Sequence, residues 1–218
     1  MQFSAGVLSN SVGLLIACHL EYCELCRGKC AQYEALGGAL LQKSASVNVS
    51  DDLLVGLMNR LDQSVDTSES TAQIVTPVPR NAKNTNEIDK VNGLPRPLWR
   101  WMGQTLDSIP WRGYFKHVKQ YYVPISDDDS VARLYKITAG CTLPKHTHSG
   151  HEYTVVVSGS FSDEAGTYHQ GDCIIANQDT MHQPTASDHE DCICFAVMDA
   201  PIKLMGVKGF LFNRFIER

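Results

Sequence analysis

Apolar positions change their rhythm once along this chain of 218 residues. Up to about residue 62 they recur at helical intervals. Val12, Leu15, Ile16, Leu20, Leu25, Tyr33, Leu36, Leu40 and Leu41 predict helix from 10 to 42, with Gly28 and the Gly37-Gly38 pair as breaks or ends. A further helix is predicted across "VSDDLLVGLMNRLDQ", where Leu54, Leu57, Met58 and Leu61 form the stripe. Ser50 suits its N-cap, Asp51 and Asp52 suit the positive end of its dipole, and Val49 can staple onto Leu54. Helices this short bury little alone and call for a metal, a partner or both.

The stretch "SVDTSESTAQIVTPVPRNAKNTNEIDKVNG" is polar and short of large apolar residues, the composition of a linker. Beyond it the runs "YYVPI", "VARLYKI", "EYTVVVSG", "SFSD", "GDCIIA" and "DCICFAVM" read as short strands, spaced by turn signals such as "SDDDS" and "NQDT". Regular short strands without intervening helices predict a β-sandwich or barrel. The expected plan is an α+β multidomain chain: a helical domain over 1–63, a linker over 64–94 and a β domain over 95–218.

Charge and composition narrow the function. A net charge of −5 gives no basic footprint for nucleic acid, so a DNA-binding regulator is disfavoured. The apolar patch "VGLLIA" is too short to span a bilayer and follows no basic region, which predicts a cytoplasmic protein without membrane attachment. Four of the eight cysteines crowd into residues 18 to 30 beside a histidine, a spacing of metal ligands rather than of a disulfide framework. The other four sit in strand-like sequence, where free cysteines serve as small buried hydrophobes.

Two clusters carry chemistry. In "GCTLPKHTHSGHEYTVVVSG", alternation along a strand lets His146, His148 and Glu152 share a face, and His182 in "NQDTMHQP" could join them from a neighbouring strand. Imidazoles with a carboxylate suit a divalent transition ion. Near the start, His19, Cys23 and Cys26 form H-x3-C-x2-C, one helical turn apart and near one face; thiolate and imidazole suit a structural zinc. A third, weaker feature is the pair Cys192 and Cys194, which share a strand face and are redox candidates.

The first of these clusters resembles the first cupin motif without a gap, from Gly140 through His146, His148 and Glu152 to Gly159. Gly171, Asn177, Asp179 and His182 follow the spacing of the second motif, with its proline and glycine replaced. The resemblance implies a double-stranded β-barrel holding one metal, zinc foremost, on His146, His148, Glu152 and His182. The N-terminal pattern is similar to the zinc-binding anti-sigma domain of bacteria. Joined to a cupin carrying "GSFSDEAGTYHQGD", it resembles anti-sigma factors of the ChrR type.

That resemblance implies a helical domain that sequesters an extracytoplasmic-function sigma factor, and a cupin that senses stress, oxidative stress foremost, and triggers release. It also implies a fourth zinc ligand, a histidine well before the H-x3-C-x2-C. None of Met1 to Ala17 is His, Cys, Asp or Glu. Either a first helix and its ligand are missing, or Cys30 or a water fills the position. On an unbroken helix Cys30 would stand about 16 Å along the axis from His19, so a break near Gly28 would be needed. The alternative function is a metal-dependent cupin enzyme, dioxygenase-like, with a helical appendage. Pairing of two chains through a barrel edge is a further expectation.

Overall fold

The computed structural model describes residues 1–62, 93–125 and 130–205. The expected linker lies outside these residues except for its last two positions. Helix α1 spans Asn10–Tyr22, α2 Glu24–Lys43, α3 Asp51–Asp62 and α4 Arg96–Met102, followed by a 3-10 turn at Leu106–Ser108. The Ser9 side chain caps α1 by accepting from the Val12 N–H.

The predicted breaks at glycine do not occur. α2 runs unbroken through Gly28, Gly37 and Gly38, and the chain breaks instead at Cys23, which is extended at φ −96° and ψ 101°. An exposed glycine weakens a helix without removing any hydrogen bond from its ladder. Cys23 ends one helix and starts the next: its N–H bonds the His19 carbonyl, and its own carbonyl accepts from Arg27 N–H. A helix that the sequence pattern did not mark, α4, precedes the first strand. α4 has Pro95 at its cap, Pro97 in its first turn and Gly103 at φ 65° beyond its end, the usual proline and glycine punctuation of a helix.

The strands are β1 (Arg112–Phe115), β2 (Val118–Tyr122), β3 (Val131–Ile137), β4 (His146–His148), β5 (Glu152–Ser158), β6 (Ser160–Ser162), β7 (Thr167–His169), β8 (Cys173–Ala176), β9 (Thr185–Ala186), β10 (Cys192–Met198) and β11 (Ile202–Leu204). A six-stranded antiparallel sheet runs β1-β2-β3-β10-β5-β8, faced by the smaller sheets β7-β6-β9 and β11-β4. Single bridges, Thr142 to Thr185 and His146 to His182, tie the opposite wall together. At Gly159, φ is 73° and a Cβ would run into the Asp191 carbonyl, so the turn from β5 to β6 requires glycine.

Alternation splits the large sheet into two chemistries. On the inner face Ile137, Val156, Cys192 and Cys194 pack with Phe161 and Val118 around the barrel interior. On the outer face Leu134, Val155, Val157, Phe195 and Val197 pack with Leu15 and Cys18 of α1 and Leu98 of α4. β10 is therefore buried at all seven positions, which explains why "CICFAVM" is continuously apolar instead of alternating. α1 thus shares a core with the barrel although they are far apart in sequence. Glu21 fixes the contact: its carboxylate accepts the Arg96 backbone N–H at 2.7 Å, capping α4, and pairs with the Arg96 guanidinium at 2.8 Å.

Candidate metal centres

The barrel centre is built from strand β4, which carries His146 and His148, and from the loop bridge that brings His182 across. Their ring nitrogens converge: His146 Nε2 lies 3.0 Å from His182 Nε2, and His148 Nε2 lies 3.3 Å from it. Each ring is held from behind through Nδ1. His146 Nδ1 lies 2.8 Å from the Pro144 carbonyl, His182 Nδ1 2.9 Å from the Asp163 carboxylate, and His148 Nδ1 3.2 Å from the Glu152 carboxylate. Acceptors at all three Nδ1 positions place the proton there, so three bare Nε2 lone pairs face one another. Such an arrangement is repulsive unless a cation sits among them, and neutral imidazole behind an outer acceptor is how a metal-bound histidine is normally held.

Burial keeps the centre in this form. His146 is 6 % and His148 2 % exposed. Burial presses the His146 imidazole down to about 4, against the opposing pull of the Pro144 carbonyl. For Glu152, burial works upward, but the hydrogen bond from His148, with the Thr154 hydroxyl at 2.9 Å, holds the carboxyl below its usual range. Burial likewise raises Asp163, and the bonds from His182, Ala165 and Gly166 outweigh it.

The structure brings His146, His148 and His182 within 4.8 Å of one another, and Glu152 stands behind His148 rather than in that cluster. Asp163 had no part in the sequence reading. The "FSDE" hairpin that carries it was visible, but nothing local connects it to a histidine nineteen positions later.

A cavity of roughly 90 Å³ opens beside His146 and His182, lined largely by apolar side chains with Tyr114, Tyr135, Glu152 and Cys194. Cys192 and Cys194 do share a face, with sulfurs 3.7 Å apart and both side chains buried. The Cys192 thiol and burial raise Cys194 well above the ordinary thiol value. All eight cysteines are free.

The N-terminal centre lies at the α1–α2 corner. His19 in the last turn of α1, Cys23 at the break and Cys26 in the first turn of α2 place donor atoms within 4.8 Å of one another, all half-buried. The backbone N–H of Cys26, at the start of α2, and the Cys26 thiol lower the Cys23 thiol, while its hydrogen bond to Cys23 raises Cys26. Two thiols, one of them eased towards thiolate, and one imidazole fit zinc. Cys30 is not in the cluster, because the break it needed is absent.

Fold and sites together define a cupin joined to a cysteine- and histidine-bearing helical segment, and comparison with known proteins gives the same class. Residues 102–200 match the ChrR cupin-like domain family. The chain is 33 % identical over 216 residues, 99 % of its length and 90 % of the relative's, to the anti-sigma-E factor ChrR of Cereibacter sphaeroides. It therefore belongs to the ChrR family of anti-sigma factors, regulators rather than enzymes. The crystal structure of Rhodobacter sphaeroides SigE in complex with the anti-sigma ChrR matches it with a TM-score of 0.70 at 31 % identity, over 91 % of this chain and 93 % of that one. Among the described residues no helix is long and apolar enough to cross a membrane.

Proposed function

We propose that this chain sequesters an extracytoplasmic-function sigma factor in the cytoplasm through α2 and α3, and that the barrel centre is its sensing half. The observation that carries the reading is α2. It buries none of its residues, yet Tyr33, Leu36 and Leu40 form an exposed stripe at helical spacing. α3 adds Leu53, Leu54, Leu57 and Met58, all exposed. Contiguous apolar surface of this kind marks a site for another helix, and the ChrR relative was crystallised with a sigma factor.

In this reading zinc at His19, Cys23 and Cys26 fixes the α1–α2 corner. A divalent metal, zinc foremost, occupies His146, His148 and His182, with Glu152 as a fourth ligand or as the outer partner of His148. A hydroperoxide entering the cavity would oxidise the thiols of Cys194 and Cys192 to a disulfide, their two electrons and two protons reducing it to an alcohol and water. Sensing is the task supported for the barrel by its largely apolar cavity beside the histidine cluster and by the whole-chain likeness to an anti-sigma factor. Pairing of two chains through the edge strand β8, where Ile175 is exposed, completes the proposal.

The test is capture on the tagged full chain from lysate of its own organism, followed by reconstitution. The captured sigma factor should bind the purified chain one to one and lose its ability to direct transcription. A chain loaded with metal that captures no sigma factor ends the proposal. For the sensing half, Asp163→Asn should weaken barrel metal about 10- to 100-fold in chelator competition and blunt release by hydroperoxide. Unchanged release with the metal gone would remove the barrel from the sensor role.

A further inference from the structure

The turn at 170–172, between β7 and β8, reaches from the barrel to the α1–α2 corner. The Gly171 carbonyl lies 2.7 Å from His19 Nδ1. A carbonyl can only accept, so the proton sits on Nδ1 and the lone pair on Nε2, the form in which a histidine ligates a metal. Gly171 has φ 91°, and a Cβ there would run into the Tyr22 side chain, so helix and turn meet with no room to spare. The acceptor stands 152 positions from His19 in sequence and is in place only while α1 lies on the sheet.

The turn itself hangs on β5. Gly171 N–H donates to the Val156 carbonyl at 2.8 Å, and Val156 N–H donates to the Asp172 carbonyl at 3.0 Å. The Gln170 side-chain amide donates to the Val157 carbonyl at 2.8 Å, and the Asp172 carboxylate accepts the His169 N–H at 2.8 Å. Val156 is fully buried and stands opposite Cys194 of β10, where the register of the two strands shifts. A ladder interrupted in this way is less constrained than a regular one. The Val156 side chain packs in the inner cluster with Cys192 and Cys194. Cys194 to Val156, Val156 to Gly171 and Gly171 to His19 thus lead from the cavity wall to a candidate ligand of the corner.

We propose that this turn relays the state of the barrel wall at Cys194 to the metal at the α1–α2 corner, with Gly171 as the positioning residue for His19. A shift of β10 at Cys194 moves Val156, the bonds to Val156 carry the turn with it, and the Gly171 carbonyl leaves His19 Nδ1. His19 is then free to turn, and its hold on a metal weakens. Loss of such an outer acceptor costs about 10- to 100-fold in affinity. By reciprocity, a loaded corner holds the turn, and α1 with it, against the barrel. The inference rests on the corner holding a metal, and not on the barrel metal or on any sigma factor.

The test is chelator competition on the full chain loaded with cobalt(II), under reducing conditions. The Cys23 and Cys26 thiolates give a charge-transfer band that the barrel histidines lack. Gly171→Ala should weaken the corner about 10- to 100-fold. Cys194→Val, which refills the inner wall, should weaken it about two-fold or more and add nothing further in the Gly171→Ala background. Unchanged affinity in either single variant, or fully additive effects in the double variant, would overturn the relay. So would an equal loss of metal from the barrel, the mark of general unfolding. A wild type with no thiolate band would end the reading of the corner as a metal centre, and the relay with it. Should Gly171→Ala misfold, Gln170→Ala takes its place, since it removes the tie to Val157 without strain. A smaller weakening in the same sense is then expected, and an unmoved affinity overturns the proposal.

Discussion

Helices α1 and α2 are neighbours in sequence, divided by Cys23 alone, and both carry a row of apolar residues. Leu15 of α1 is 0 % exposed, pressed between α4 and the outer face of the barrel sheet; Leu40 of α2 is 62 % exposed and touches no core. The difference lies in what each helix faces. α1 lies over strands β5 and β10, whose outward residues Val155 and Phe195 must be covered by something, whereas α2 turns away at the metal corner. One helix belongs to the barrel, and the other is held out on it. The corner between them carries the candidate metal ligands His19, Cys23 and Cys26, and its geometry decides where α2 points.

The sharpest way to break this contrast is to take α1 off the barrel. Leu15→Ala removes a fully buried side chain from a core shared by two elements and should cost about 2–5 kcal/mol of barrel stability, read by chemical denaturation of the full chain. The same change at Leu40 should leave stability within about 0.5 kcal/mol, as for other exposed positions. Equal losses at the two sites would mean that α2 is also packed.

Next in size is an effect that appears only with a partner. Leu36→Asp with Leu40→Asp should leave melting temperature and metal content as they are, yet weaken capture of the sigma factor by about 2 kcal/mol or more, roughly thirty-fold in Kd. Unaltered binding, measured by calorimetry with the reconstituted sigma factor, would move the interface from α2 to α3.

The contrast was only half legible in the sequence. Helical spacing told that α1 and α2 each have an apolar face, but spacing says nothing of what a face meets. The clue lay elsewhere, in the unbroken apolar run of β10, which needs a cover on both sides; the second cover is α1. α4 escaped notice because seven residues are too few to show a period, although its prolines and glycine were in view. The candidate barrel ligands His146 and His148 were readable because strand alternation is local. Asp163, the acceptor behind His182, was not, since only the folded β6–β7 hairpin brings it there. The H-x3-C-x2-C cluster came together as its spacing implied, but across a break at Cys23 and not along one helix.

Smaller again is the pin between α1 and α4. Glu21→Gln keeps the size of the side chain but removes the charge that caps α4 and pairs with Arg96. Because the Arg96 side chain is 40 % exposed, solvent screens much of the pair, and a loss of about 1 kcal/mol is expected. It should appear in the barrel transition and shrink in high salt, while α2 helicity stays unchanged. A loss insensitive to salt would assign the effect to the hydrogen bond on the Arg96 N–H alone.

The smallest effect concerns α2 by itself and has the opposite sign. Gly28 is an ordinary position inside the helix: its φ is not left-handed, and a Cβ there would meet nothing within 4 Å. Alanine gains helix propensity at no steric cost, so Gly28→Ala should strengthen α2 by about 0.5–1 kcal/mol, seen as added helical circular dichroism at moderate temperature. Since α2 buries nothing in the barrel, the barrel transition should not move with it. A gain in both would show that α2 and the barrel fold as one unit. A loss of helix would mean that the chain needs a bend at Gly28 after all, and would bring Cys30 back towards the metal.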